Sequence, residues 1–218
     1  MKAVILGGTK GIGKAIADEL KGVCDEVNAV GSADVDTTDL NSVRNFINNT
    51  SEIDVLVLNT GGPPPISFDE ITDEIWLENF NKLFLSFSVM MQEMRINPGG
   101  YIFLISSFVI KEPNDEIPIS SSIRAGFANL FKAVSITKSK EGIRFINIAP
   151  GPIQTDRLLN LLNDDGQTIE DLEHEIPGGK VPEPNEIGLF VKFVVENQIK
   201  ALNGVTIPFD SGLLRGVY

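Results

Sequence analysis

The sequence predicts a single-domain, doubly wound α/β fold in which helices cover both faces of a parallel sheet. Apolar runs of strand length alternate with longer segments of helical period along the whole chain. The strand candidates are mostly unbroken hydrophobic runs, as a parallel sheet buried on both faces requires. The length of 218 residues suits one domain and leaves little room for a separate substrate domain. We therefore expect one domain over residues 1–218.

Six strands and five helices follow from this alternation. The predicted strands, each a short run rich in Val, Ile, Leu or Phe, are Lys2–Leu6, Glu26–Val30, Ile53–Leu58, Tyr101–Ile105, Arg144–Ile148 and Val205–Ile207. The predicted helices, which occupy the longer periodic segments between strands, are Ile12–Lys21, Asp39–Asn48, Asp73–Met94, Ser120–Lys138 and Asn185–Glu196. Pro182 and Pro184 are start signals for the last helix. The chain between Val30 and Asp39 is too short for a helix plus a strand, so one crossover unit should be truncated.

Composition and charge exclude several classes of function. Thirty acidic and 18 basic residues give a net charge of −12, a field that repels a nucleic-acid backbone. Cys24 is the single cysteine and His174 the single histidine, so an intrachain disulfide is impossible and a zinc centre is not expected. Residues 1–7 are apolar for too short a run to form a secretory core or membrane span. We expect a cytoplasmic protein without a nucleic-acid, membrane or metal partner.

A glycine-rich loop joins the first strand to the first helix. It contains Gly7, Gly11 and Gly13, and helix-forming residues follow it. The first glycine permits a sharp turn, the second lets backbone approach a pyrophosphate, and the third allows close packing of helix on strand. Free N–H groups at the helix start favour an anion there. A purely structural glycine turn is the alternative.

Five segments in order resemble the short-chain dehydrogenase/reductase family. The glycine spacing is similar to the family's Gly-x-x-x-Gly-x-Gly loop. The segments that resemble the family's other motifs are Asp54–Gly62 (D-x-L-V-x-N-A-G), Tyr101–Ser107 (the strand before the catalytic serine), Arg144–Thr155 (R-V-N-x-I-x-P-G-x-x-x-T), and, near the C-terminus, 176–187 with 203–212. The resemblance covers essentially the whole chain and implies a Rossmann-like fold that binds a nicotinamide dinucleotide.

The resemblance also implies which residues hold that cofactor. They are Gly7, Thr9, Lys10, Gly11, Ile12 and Gly13 in the loop, Ser32, Asp36 and Thr37 near adenine, Asn59, Thr60 and Gly61 after the third strand, Arg124, and Pro150, Gly151, Ile153 and Thr155 at the nicotinamide end. Gly31 and Ser32 stand where an NAD-selective site usually has an acid, and Lys10 could face a 2′-phosphate. We therefore expect NADP(H) rather than NAD(H). Lys10 could instead be an ordinary solvated lysine, and Asp36 and Thr37 could cap the next helix.

The catalytic residues that the resemblance implies depart from the family pattern. Ser107 fits the serine that orients a substrate carbonyl, but Ser120 stands where the family has tyrosine and Arg124 where it has lysine. An aliphatic hydroxyl is a much weaker acid than a phenol, and arginine stays protonated and therefore cannot transfer a proton to the substrate. Asn59–Pro65 together with this Ser-x-x-x-Arg pattern resembles a divergent, β-ketoacyl reductase-like branch that lacks the usual tetrad.

No other residue clearly fills the vacant roles. Tyr101 starts its strand, about 17 Å from the active edge at about 3.3 Å per residue, and Tyr218 could serve only if the C-terminal tail folds back or crosses from another subunit. The asparagine of the family's water relay could correspond to Asn79 or Asn81, or be replaced by Leu83.

Two functions remain open from the sequence. One is an NAD(P)(H)-dependent oxidoreductase that moves a hydride between nicotinamide and a carbonyl or alcohol, with Ser107, Ser120 and Arg124 as its catalytic residues. The other is a catalytically weak or inactive NADP-binding sensor or interaction protein. The resemblance further implies a lid over residues 156–175, and a homo-oligomer, dimer or tetramer, formed through the helices at 73–94 and 120–138 and the C-terminal segment.

Overall fold

A computed structural model describes residues 1–216 and forms one six-stranded, wholly parallel sheet in the order β2-β1-β3-β4-β5-β6. The strands are β1 (Lys2–Leu6), β2 (Glu26–Val30), β3 (Ile53–Leu58), β4 (Ile96–Ile105), β5 (Arg144–Pro150) and β6 (Val205–Phe209). The helices are α1 (Gly11–Leu20), α2 (Leu40–Asn48), α3 (Asp73–Phe80), α4 (Ser86–Glu93), α5 (Pro118–Lys138), α6 (Asp156–Asp164), α7 (Ile169–Glu175) and α8 (Pro184–Glu196). The predicted doubly wound fold is confirmed.

The sheet separates two apolar layers, because alternate residues of each buried strand point to opposite faces. Leu56, Leu58 and Phe145 face one layer, which α2, α4 and α5 cover. Val55 and Val57 face the other, which is covered by α1 and α8. Helices α1 and α8 pack so closely that a Cβ at Gly188 would lie 2.7 Å from the backbone oxygen of Ala15. None of the helices in the described residues is long and apolar enough to cross a membrane.

The truncated crossover predicted after β2 is present. Residues 31–39 contain neither helix nor strand and lead directly into α2. The backbone N–H of Gly31 donates to the Asp34 carboxylate at 2.8 Å, which closes the first turn of this connection. Asp39 caps α2 by accepting from the Asn41 backbone N–H at 2.9 Å. As no further strand is added on this side, β2 forms the edge of the sheet.

The structure differs from the sequence prediction in three elements. Strand β4 begins at Ile96 rather than Tyr101, because Ile96 already pairs with Ile53. The Pro98–Gly100 segment, which suggests a turn, lies in an irregularity before regular pairing resumes at Tyr101 and Val55. The single helix predicted over Asp73–Met94 is divided into α3 and α4 by a π-helical turn at Asn81–Leu85. The segment predicted only as a lid contains two helices, α6 and α7.

Candidate active site

The glycine loop lies at the carboxyl edge of the sheet and is built for close backbone contact. Gly7 and Gly11 have φ values of +57° and +51°, a left-handed conformation that favours glycine. A Cβ at Gly13 would lie 2.1 Å from the backbone oxygen of Gly7, so only glycine fits there. Lys10 is the N-cap of α1, its side chain makes no cap hydrogen bond, and the first turn contains no acid. The N–H groups of this helix start therefore suit a phosphate.

Asn59 fixes the end of β3 to the glycine loop. Its side-chain amide donates to the backbone oxygens of Leu6 at 3.3 Å and Gly7 at 3.2 Å. The amide nitrogen would lie 2.7 Å from a Cβ at either Gly7 or Gly13. Asn59 was predicted as a cofactor contact, and in this structure it holds the loop that forms the cradle.

The adenosine side of the predicted site contains an acid that sequence reasoning missed. Asp34 follows the end of β2 by four residues, and its carboxylate accepts from the Gly31 backbone N–H. A Cβ at Gly31 would lie 3.1 Å from both Thr9 Oγ1 and Thr9 Cγ2, so this turn meets the glycine loop. The turn places Asp34 beside the end of β2. The sequence signal that could have found it is an acidic residue between a predicted strand and the cap of the next helix.

Asp36 is occupied within its own turn. Its carboxylate accepts from the backbone N–H and the hydroxyl of Thr38 at 2.9 and 2.7 Å, and these hydrogen bonds lower the pKa of Asp36. Thr37 and Ser32 lie in the same exposed connection after β2. The capping alternative is wrong for Asp36 and Thr37, because Asp39 caps the helix.

The two serines of the catalytic proposal follow β4 and begin α5. Ser107 is partly buried and accepts weakly from the Val109 backbone N–H at 3.5 Å. Ser120 is buried and accepts from Arg124 Nε at 3.2 Å. The four-residue spacing places Ser120 and Arg124 on one helix face, as predicted. The Ser120 hydroxyl proton has no acceptor within the described residues.

Arg124 ties together three chain segments at this edge. Its guanidinium donates to four acceptors, which are Ser120 Oγ and the backbone oxygens of Ile105, Ser106 and Thr60, at 3.2 to 3.3 Å. The side chain is only 9% exposed. The segments after β3 and β4 therefore depend on a residue of α5 for their backbone hydrogen bonds.

A second arginine lies close to Arg124 in the site. Arg157, in the first turn of α6, donates to the backbone oxygens of Gly62 at 2.8 Å and Pro63 at 2.9 Å. Burial, with a smaller contribution from the nearby Arg157 charge, lowers the pKa of Arg124 to about 10. Burial also lowers the pKa of Arg157. Sequence reasoning missed Arg157, because nothing in its surroundings in the chain distinguishes it from a surface arginine of the lid.

The segment predicted at the nicotinamide end approaches the glycine loop. Gly151 donates its backbone N–H to Phe209 at 2.8 Å, and a Cβ there would lie 3.0 Å from Asp210. Thr155 caps α6, and its methyl carbon would lie 3.3 Å from a Cβ at Gly11. Pro150 ends β5 and Ile153 is buried next to the same loop. The two cofactor segments predicted far apart in sequence are thus adjacent.

The other proposed proton donors do not fill the tyrosine position. Tyr101 is buried near the start of the paired part of β4, where its hydroxyl donates to the Ile199 backbone oxygen at 3.4 Å. Tyr218 lies outside the described residues. Asn79 donates within its own helix to the Ile75 backbone oxygen at 2.9 Å, whereas Leu83, in the π turn, packs against Ile119 of α5. Asn81 begins the π turn, and the assignment of the relay position to any of these three residues stays a prediction.

Comparisons with known proteins give one family. A family model described as enoyl-(acyl carrier protein) reductase matches residues 10–214. The 3-oxoacyl-[acyl-carrier-protein] reductase of Salmonella typhimurium is 24% identical over 237 aligned residues, which cover 97% of this chain and 96% of the relative. The 2,5-dichloro-2,5-cyclohexadiene-1,4-diol dehydrogenase of Sphingobium indicum is 26% identical over 244 aligned residues, which cover 99% of this chain and 96% of the relative.

Solved structures of low sequence identity share the fold. L-sorbose reductase from Gluconobacter frateurii, solved with NADPH and L-sorbose, has a TM-score of 0.85 at 23% identity and covers 99% of this chain and 97% of the other. A small-chain dehydrogenase in complex with NADPH has a TM-score of 0.86 at 22% identity and covers 99% of each chain. From the family model matched across nearly its whole length, this chain belongs to the short-chain dehydrogenase/reductase family.

Proposed function

We propose that this protein is an NADP(H)-dependent oxidoreductase that transfers a hydride between nicotinamide and a carbonyl or alcohol substrate. The observation that carries the proposal is the convergence, at one sheet edge, of an uncapped glycine-loop helix with Ser107, Ser120 and Arg124. Relatives of the chain are named as reductases and dehydrogenases, and two structures of the same fold were solved with NADPH. The direct test measures nicotinamide absorbance with a panel of ketones, acyl thioesters and alcohols.

The residues present fit the cofactor. The start of α1 has no side-chain cap, and Gly11, Ile12 and Gly13 would meet the pyrophosphate there. Thr60 and Gly61 would line the adenosine side, and Pro150, Gly151, Ile153 and Thr155 the nicotinamide end. When bound, reduced nicotinamide supplies the hydride and is oxidised as the carbonyl becomes an alcohol.

The chain's own residues would orient the carbonyl and supply its proton. Ser107 and Ser120 would hydrogen-bond the carbonyl oxygen, and Ser120 would donate its proton as charge develops there, with solvent water restoring it. Because Ser120 accepts a hydrogen bond from the Arg124 cation, its own hydroxyl becomes a stronger donor. Arg124 would stabilise the developing negative charge through that serine. Without a phenol, we expect slow turnover that depends largely on positioning.

Removal of the Ser120 hydroxyl should separate catalysis from binding. In the Ser120→Ala variant we expect kcat to fall about 10²-fold, a typical loss for a positioned proton donor, while NADPH affinity changes less than about twofold. Ser107→Ala should lower kcat by a smaller factor. The matched control is Ser122→Ala, since this exposed serine of α5 donates back to Pro118 and faces away from the site. Equal kcat values for Ser120→Ala and Ser122→Ala would contradict the role of Ser120.

Lys10 should set the preference for the 2′-phosphate. Its exposed side chain lies at the N-cap of α1, and the Lys10→Ala variant should bind NADPH about tenfold more weakly, the loss of one charge-assisted contact. Its NADH affinity should be unchanged. The Asp34 carboxylate should repel the 2′-phosphate, so the Asp34→Ala variant should increase the preference for NADPH over NADH. Both affinities are measured by quenching of protein fluorescence, with Lys14→Ala as the lysine control. An equal loss for both dinucleotides in Lys10→Ala would contradict this placement.

A second candidate is a nucleotide-binding protein without catalysis. It is favoured by the four intramolecular acceptors of Arg124 and by the position of Tyr101 away from the site. Tight NADPH binding with no turnover of any substrate in the panel would support this sensor or interaction function. Failure to bind either dinucleotide would contradict both candidates.

We also propose that the protein assembles as a homo-oligomer and that residues 156–175 act as a lid. Large apolar side chains are exposed on the helices expected at the interfaces, namely Leu77 and Phe80 on α3 and Ile136 on α5. Helix α8, for which no interface was expected, also exposes Leu189 and Phe193. The lid helices α6 and α7 follow the nicotinamide segment, and Arg157 connects α6 to the loop after β3. Sedimentation velocity would distinguish dimer from tetramer.

A further inference from the structure

A small space next to Gly62 is surrounded by hydrogen-bond donors. A Cβ at this glycine would lie 3.4 Å from Arg124 Nη2, 3.7 Å from Arg157 Nη2 and 3.8 Å from Ser120 Oγ. The backbone of Gly62 does not require glycine, because its φ is not in the left-handed region. Because Gly62 has no side chain, a space remains there that two guanidinium groups and one hydroxyl border.

These two cations have no acidic partner within residues 1–216. The ion pairs of this part of the chain involve other basic groups, although the sequence has 30 acids for 18 lysines and arginines. Arg124 is about nine-tenths buried and one Nη2 hydrogen has no acceptor after the bond to Thr60. Burial of unpaired like charges is costly, and the lowered pKa of each arginine reflects that cost. A bound anion would relieve it.

We propose that the space beside Gly62 binds the carboxylate of the substrate, and that the substrate is an oxo acid or the corresponding hydroxy acid. This inference rests on the proposed function and names the class of its substrate. Guanidinium groups bind carboxylates through paired, charge-assisted hydrogen bonds. Arg157 brings such a group from the lid, and Arg124 brings one from α5.

The position of the space favours a substrate carboxylate over a cofactor phosphate. Ser120 Oγ is one of its three surrounding atoms and is also the hydroxyl proposed to meet the substrate carbonyl. A carboxylate attached at or next to the carbonyl carbon can reach the arginines while its carbonyl oxygen reaches Ser120. The cofactor phosphates belong instead at the start of α1, which has its own N–H donors.

Two variants test the space and the charge separately. Gly62→Ala adds a methyl group at ordinary contact distances without backbone strain, so the protein should fold normally while the space is filled. Arg157→Gln keeps a polar side chain in the lid but removes its charge. The matched controls are Gly22→Ala, whose Cβ would have only ordinary contacts, and Arg95→Gln, which lines a cavity among Lys2, Glu26 and Asp54.

The experiment measures binding and turnover on the full chain. Pyruvate, phenylpyruvate, acetoacetate and oxalate are titrated by calorimetry into protein alone and into protein saturated with NADP⁺, beside the methyl esters of the three oxo acids. NADPH affinity and NADPH oxidation are measured in parallel. We expect saturable binding of at least one carboxylate but not of its ester, weakened tenfold or more in Gly62→Ala and Arg157→Gln. NADPH affinity should stay within twofold, and both control variants should match the wild type.

Three results would overturn the proposal. These are the absence of saturable binding by any carboxylate, equal binding of acid and ester, and unchanged carboxylate binding in both variants. If Arg157→Gln instead weakens NADPH binding and leaves carboxylate binding unaffected, the anion is a cofactor phosphate; this result also overturns the proposed carboxylate site and substrate class but leaves the proposed oxidoreductase function standing. If NADPH fails to bind the wild type, the proposed function fails, and carboxylate binding to the protein alone still decides whether the anion site exists.

Discussion

Replacement of Gly13 by alanine is expected to cost about 3 kcal/mol or more of unfolding free energy, at the upper end of the overpacking range. The new methyl carbon would lie 2.1 Å from the backbone oxygen of Gly7 and 2.7 Å from the Asn59 amide nitrogen. Both neighbours are fixed, since Asn59 donates to the backbone oxygens of Leu6 and Gly7. Either α1 moves away from β1 or the glycine loop opens, and NADPH binding is lost in both cases.

Urea denaturation followed by circular dichroism measures the first effect, and NADPH-dependent fluorescence quenching measures the second. Gly22→Ala is the control, because its Cβ would lie no closer than 3.5 Å to any neighbour. A Gly13→Ala protein with a denaturation midpoint and NADPH affinity like those of the wild type would show that the cradle does not need its tight approach.

Replacement of Arg124 by alanine should abolish measurable turnover, a loss of about 10³-fold, the upper end for removal of one charge-stabilising donor. The effect on stability should be smaller, about 1–3 kcal/mol. Loss of the guanidinium leaves the backbone oxygens of Thr60, Ile105 and Ser106 without their donor, but it also removes a buried charge that has no acidic partner in the described residues.

Added guanidinium ion distinguishes a chemical role from a structural one. In Arg124→Ala the vacated space should admit methylguanidinium, and millimolar concentrations should restore part of kcat without restoring the denaturation midpoint. Arg124→Lys, which introduces the residue of the family pattern, should keep the charge but lose the planar set of four hydrogen bonds. Full activity in Arg124→Ala without any additive would contradict a role for this cation in turnover.

The sequence was most informative where one physical cause determines the structure. Nearly continuous apolar runs predicted the residues of β1 and β3, because strands buried on both faces tolerate few polar side chains. The glycine loop could also be predicted, since three glycines at that spacing permit both the sharp turn with close packing and the binding of an anion. The predicted truncation after β2 followed from chain length alone, which limits what nine residues can build.

Features that depend on contacts between distant segments could not be predicted from the sequence. The early start of β4 depends on the pairing of Ile96 with Ile53, which lies before the irregular segment that contains Pro98 and Gly99. The pairing of Arg157 with the loop after β3 joins residues that are 95 positions apart, and no local pattern marks it. The roles predicted for Ser107, Ser120 and Arg124 remain predictions that the variants above test.

The π-helical turn at Asn81–Leu85 has a consequence for the evolution of this helix pair. A π turn adds one residue to a helical circuit, so deletion of any one of its five residues could restore continuous α-helix. Because the wider π turn holds the extra residue within one circuit, its removal would leave the helix after it in nearly the same orientation. Phe87, Met90 and Met91 would then keep their places in the apolar layer that α4 covers. A descendant could therefore lose the extra residue without rebuilding the packing of α4 on the sheet.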